Sequence, residues 1–132
     1  MIGKIDHIGI AVRNISEAVK PYTEVLGLHL EGVEEVQEQK VKTAFLAVGE
    51  SHLELLESTD PEGPIAKFIE SRGEGLHHIA LGVTNINEAL EDMTRKGIPL
   101  IDQKPRKGVE NTDIAFLHPK GTGRVLLELV ET

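Results

Sequence analysis

His7, Glu54, His78 and Glu128 carry side chains suited to holding a metal ion or moving a proton. Imidazole nitrogen with carboxylate oxygen suits Fe, Co, Ni, Mn or Zn, and this donor set does not choose among them. The chain has no cysteine, so a bound metal must be held through nitrogen and oxygen. Placement sets these four residues apart. His7 lies in "IDHIGIAV", which starts at Ile5, and His78 lies in "LHHIALGV", which starts at Leu76. Glu54 stands between Leu53 and Leu55, and Glu128 between Leu127 and Leu129.

These pairs belong to an internal duplication, the feature to seek before any secondary structure is argued. Setting His7 on His78 gives an offset of 71 residues, and seven of the fifteen positions from Ile5 to Val19 are then identical. The same offset lays Ala44–Leu46 on Ala115–Leu117, and an offset of 74 lays Leu53–Leu55 on Leu127–Leu129. Four features in one order, twice, are hard to obtain by chance.

Each copy reads as a strand, a helix and three more strands. In the first, Ile5 to Val12 alternates as a strand. Asn14 or Ser16 caps a helix whose apolar positions are Ile15, Ala18, Val19, Tyr22 and Leu26, with Gly27 at its end. Pro21 predicts a kink or a shifted start. Strands follow near 28–36, 41–48 and 52–56. Pro64 to Arg72 predicts a linking helix. The second copy predicts a strand over 76–83, a helix over 86–96, a short strand near 99–102 and strands near 113–117 and 124–130. The domain organisation is then a single domain over 1–132: module one about 1–60, a linking helix about 62–73 and module two about 74–132.

Strand parity decides which side chains meet. Ile8, Ile10 and Val12 must pack under the helix, so His7 points the other way beside Gly9 and Ala11. His78 stands likewise beside Ala80 and Gly82, and these small neighbours leave room for a ligand. Leu53 and Leu55 face the helix and Glu54 opposes them, as Glu128 opposes Leu127 and Leu129. A carboxylate in that setting is costly unless its charge is compensated, and a divalent cation would do so. The alternative is a wet sheet face, on which a glutamate is unremarkable. That would suffice for any one of the four; for all four at equivalent places the metal is favoured. His52 shares the Glu54 face as a supporting group, His77 has the opposite parity to His78, and His29 and His118 read as surface or turn residues.

Composition narrows the partners. A net charge of −8 and a pI near 5.2 argue against nucleic acid, which needs a basic face. The run Lys104–Lys107, with Lys120 and Arg124 further on, is the local exception, a solvated loop or a landing site for a phosphorylated ligand. No apolar stretch approaches the ~20 residues of a membrane span, and the N-terminus lacks a signal-peptide pattern, so no membrane and a cytoplasmic location are expected.

The residues also resemble a known family, the vicinal oxygen chelate (glyoxalase/dioxygenase) superfamily, over essentially the whole chain. "IDHIGIAV", "LELLE", "EGLHHIALGV", "AFLHPK" and "VLLELVE" are most similar to the methylmalonyl-CoA epimerases, and the "HPK" turn followed by a Leu-Glu-Leu strand discriminates best. The resemblance implies an α+β fold in which two pseudo-symmetric βαβββ modules form a cupped, partly open eight-stranded mixed sheet with helices on the outer face. It implies metal ligands at His7, His78 and Glu128, with Glu54 on the remaining position, which is Gln or Glu in that family. It implies one divalent ion, with cobalt favoured, an acyl-CoA substrate, a homodimer, and interconversion of (2R)- and (2S)-methylmalonyl-CoA. The pair Glu54 and Glu128 is a natural place to look for the two proton carriers. Thr43 stands where some relatives carry a glutamate, Arg124 where a glycine is common, and Gly108 to Thr112 is less glycine-rich than usual. The competing expectations are a lactoylglutathione lyase, a ring-cleaving dioxygenase, and a non-catalytic small-ligand-binding protein of the same fold.

Overall fold

A computed structural model describes all 132 residues. The order of elements is β1 (Ile2–Ala11), α1 (Ile15–Ala18), β2 (His29–Val36), β3 (Val41–Val48), β4 (Ser51–Ser58), α2 (Pro64–Arg72), β5 (Gly75–Val83), α3 (Ile86–Arg95), β6 (Arg106–Lys107), β7 (Asp113–Phe116) and β8 (Leu127–Glu131). The fold is α+β, and its eight-stranded mixed sheet runs β2-β3-β4-β1-β5-β8-β7-β6. The chain divides into two compact units, residues 7–77 and residues 1–6 with 78–132, so β1 contributes to both.

In the unit formed by residues 7–77, β1 pairs with β4 in parallel, while β2–β3 and β3–β4 are antiparallel. Leu53, Leu55, Ala44 and Leu46 pack with Ile10, Val12 and Ile15 under α1. The Pro21 expectation resolves as a change of helix type. Proline has no N–H to continue the α ladder, and the segment Pro21–Val25 winds as a π-type turn in which the Leu26 N–H reaches the Pro21 carbonyl at 3.0 Å. Leu26, placed on the apolar stripe by its spacing, is instead exposed beyond that turn. Gly27 then turns the chain with φ near +72°, a conformation that costs a residue with a Cβ. Helix α2 packs on the other face of the strands: Ile65 lies against Ala11, Val41 and Leu56.

In the other unit, β5 pairs with β8 in parallel and β7 antiparallel to β8 and β6. Helix α3 buries Ile86, Ala89 and Leu90 against Val83, Ala115, Leu117 and Leu129. Each of the larger side chains among them, Ile86 and Leu90 included, contributes about 1.5–3 kcal/mol on burial. At the far end of α3, Lys96 and Arg95 hydrogen-bond Asp92 and hold its carboxyl below the usual aspartate value.

The expected strand near 99–102 does not form. Only Leu100 bridges to Leu117, and the short edge strand is Arg106–Lys107. Pro99 has no N–H to give, and the Asp102 carboxylate accepts the Phe116 N–H at 2.8 Å, a donor that a neighbouring strand would otherwise use. The last strand likewise starts at Leu127 rather than Arg124, which is held at φ +71° in the turn before it.

Candidate metal centre

Each unit builds the same arrangement. In the ladder of β1 and β4, Gly9 is level with Glu54 and His7 with His52. Level residues of a sheet share a face, so His7, Gly9, Ala11, His52 and Glu54 lie on the side opposite Leu53 and Leu55, as the alternation requires. There the His7 Nδ1 and a Glu54 carboxylate oxygen are 3.2 Å apart, with His7 3% and Glu54 5% exposed. In the other unit Ala80 is level with Glu128, which puts His78 and Glu128 on one face. The His78 Nε2 and a Glu128 oxygen are 3.0 Å apart, and these residues are 7% and 5% exposed.

A wet sheet face is therefore excluded for both glutamates. Each is nearly out of solvent, a position that costs several kcal/mol for an ion without compensation. Each has an imidazole as a partner, and imidazole nitrogen with carboxylate oxygen is the donor chemistry of a site for a divalent cation. The four expected residues thus occur as two buried His–Glu pairs, His7 with Glu54 and His78 with Glu128.

Aromatic rings wall both pairs. Phe116 is level with Glu128 and meets the His78 ring edge to face at 5.8 Å between centroids. Phe45 is level with Glu54 and meets His52 at 6.5 Å. The Nε2 of His52 lies 2.8 Å from Glu31, so this histidine is held on the site face by a carboxylate from β2. His77 packs against Phe68 of α2 at 4.9 Å. His118 caps the short turn Pro119–Gly121, its Nδ1 accepting the Lys120 N–H at 3.1 Å. The basic run around Lys104–Lys107 has its own partners: Arg106 is 3.3 Å from Asp102 and stacks over Phe116, and Lys107 is 2.7 Å from Asp113. The charges of Arg106 and Lys107 are thus answered by neighbouring carboxylates, which argues against a phosphate landing site there.

Two further glutamates do positional work that residue type and spacing did not reveal. The Glu57 carboxylate accepts the Ile15 N–H at 2.7 Å, and the Glu131 carboxylate accepts the Ile86 N–H at 3.0 Å. Asn14 and Asn85 accept from the N–H groups of Glu17 and Glu88 at 3.0 and 3.1 Å. In each unit, therefore, the strand carrying the site glutamate ends by satisfying the open N–H groups of the helix that covers it. The signal was present: both glutamates stand three residues after Glu54 and Glu128 in the repeated stretch.

Thr43, the position at which some relatives were expected to carry a glutamate, is level with Leu56 and therefore shares the Glu54 face. It is fully buried, and its hydroxyl has no hydrogen-bond partner within the chain.

Comparison with known proteins agrees with this architecture. "Uncharacterized protein YqjC" of Bacillus subtilis is 42% identical over 130 residues, covering 98% of this chain and 93% of the relative. The mitochondrial methylmalonyl-CoA epimerase of Homo sapiens is 33% identical over 129 residues, covering 97% of this chain and 73% of the relative. A solved structure of a Streptomyces coelicolor methylmalonyl-CoA epimerase variant, in complex with 2-nitronate-propionyl-CoA, superposes with a TM-score of 0.95 at 36% identity, covering 100% of this chain and 96% of that one. Residues 6–116 match the Glyoxalase/Bleomycin resistance protein/Dioxygenase superfamily, and with the duplicated strands and paired His–Glu residues in place the chain belongs to that superfamily.

Proposed function

We propose that this chain is a metal-dependent epimerase that interconverts (2R)- and (2S)-methylmalonyl-CoA. One observation carries the reading: the duplication places a buried His–Glu pair at the same point of each unit. Relatives and solved structures that bear the epimerase name, aligned along nearly the full chain, support it.

In this reading His7, Glu54, His78 and Glu128 are the ligands of one divalent ion, with cobalt the favoured candidate. When bound, the ion supplies positive charge next to the thioester and carboxylate oxygens, where negative charge builds as the C2–H bond breaks. The chain's own residues move the proton. A glutamate oxygen takes the C2 proton while the bonding electrons shift toward the thioester oxygen. Configuration inverts when a proton is returned to C2 from the opposite face. Glu54 and Glu128 are assigned as the two carriers, each oriented by its histidine. Positioned proton transfer of this kind contributes roughly 10²–10⁴-fold. The low exposure of both pairs keeps competing water away from the carbanionic carbon. A homodimer with a complete site in each chain belongs to the same proposal.

The test is exchange of the C2 proton of methylmalonyl-CoA in deuterated water. Exchange is expected with the metal-loaded protein and is expected to collapse on chelation and return on adding back the metal. The hemithioacetal of glutathione, run in parallel, is expected to show no turnover. A loaded protein that leaves C2 unlabelled, or that prefers the hemithioacetal, overturns the reading.

A further inference from the structure

We propose that the Thr43 hydroxyl is a specificity-determining contact, donating a hydrogen bond to an oxygen of the acyl group bound beside the His7–Glu54 pair. This inference rests on the CoA-ester reading above and adds a residue to it.

Three observations carry the assignment. Thr43 is 0% exposed and its Oγ1 has no hydrogen-bond partner within the chain, a state in which a buried hydroxyl is costly. Native folds rarely retain such a group without a use. Second, the hydroxyl belongs to the correct face. With Thr43 level with Leu56 and Phe45 level with Glu54, Thr43 and Glu54 are diagonal neighbours on one side of the β3–β4 ladder. Side chains so related stand about 7–8 Å apart, a gap that a ligand oxygen can bridge.

Third, the fold does not need a hydroxyl there. The duplication sets Thr43 on Ile114, which is 4% exposed and packs with Ala80, Val130 and Phe116. One unit fills this strand position with a β-branched aliphatic side chain and the other with threonine, which is also β-branched but smaller. The two units share their His–Glu pairs and differ at this point. A hydroxyl that the strand does not require, beside a pair proposed to hold the ligand, fits a substrate with an oxygen to be recognised. The oxygens of a malonyl-type thioester are suitable acceptors.

Thr43→Val tests this, with Thr43→Ser as the conservative control, both in the metal-loaded full chain. The readouts are affinity for 2-nitronate-propionyl-CoA by calorimetry, the KM for methylmalonyl-CoA, the metal bound per chain and the melting temperature without ligand. For Thr43→Val we expect affinity weakened about tenfold, unchanged metal content and a melting temperature equal to or above that of the wild type. Thr43→Ser should stay within about twofold of wild-type affinity, as a retained donor requires. Wild-type affinity in Thr43→Val overturns the proposal. So does an affinity loss that serine fails to rescue, since shape rather than the hydroxyl would then be recognised. Failure of the underlying function is visible separately: wild-type protein that neither binds the nitronate nor exchanges C2 removes the CoA-ester reading, and this contact with it.

Discussion

At the scale of single residues, the two site glutamates have alike surroundings and unlike expected tolerance. Both are buried and both face an imidazole at about hydrogen-bond distance. The family resemblance nonetheless allows Gln or Glu at position 54 and gives Glu128 as a ligand without such an alternative. Glu54→Gln keeps an oxygen donor and removes a charge, so it should retain bound metal and lose proton transfer on one face of C2. Glu128→Gln removes the charge from a proposed ligand that the resemblance gives as Glu, and should release metal as well as suppress exchange by at least about 10²-fold. Metal analysis beside single-enantiomer exchange checks this, and equal behaviour of the two variants would contradict the assignment. The strand faces of all four candidates were legible because a duplicated sequence reports parity twice: His7 with His78, and Glu54 with Glu128, stand at equivalent places on their strands. The unpartnered state of Thr43 was not legible. Sequence placed it on the strand, but burial and the absence of a partner arise only when β2, β3 and β4 are assembled.

At the scale of elements, the helices are set by their first turns. Asn85 accepts the Glu88 N–H while Glu131 accepts the Ile86 N–H, so two of the open donors of α3 are satisfied by different parts of the chain. Asn85→Ala should therefore destabilise the protein by about 1 kcal/mol, read as a lower urea midpoint with an unchanged slope. A shift within experimental error would show that Glu131 alone holds that end. The long periodic elements could be read in advance: α2 runs from Pro64 to Arg72, as its proline start predicts, and β3 from Val41 to Val48. Two kinds of element could not. After Ala18 the hydrogen-bond period changes because a proline interrupts it; Pro21 marked the interruption in the sequence, but not that the chain would continue as a π-type turn. The segment around Pro99 is apolar enough for a strand, yet Asp102 claims the Phe116 amide and the pairing moves to Arg106 and Lys107. In both cases local polar chemistry overrode the hydrophobic pattern.

At the scale of the whole molecule, charge bears on the proposed substrate. The chain carries a net charge of −8, and a CoA ester is itself strongly anionic. Its most conspicuous basic run offers little attraction, because Arg106 is paired with Asp102 and Lys107 with Asp113. Encounter is then opposed by the field of the protein rather than steered by it. Added salt shortens the range of that repulsion, from a Debye length of about 30 Å at 0.01 M to about 10 Å at 0.1 M. The KM for methylmalonyl-CoA should therefore fall or stay level as monovalent salt is raised across this interval, with kcat unchanged, since the buried pairs are screened far less. Lys107→Gln should behave like the wild type across the same titration. A KM that climbs steeply with salt, and a climb abolished by Lys107→Gln, would instead identify the 104–107 run as an electrostatic guide and reverse the conclusion drawn from its ion pairs.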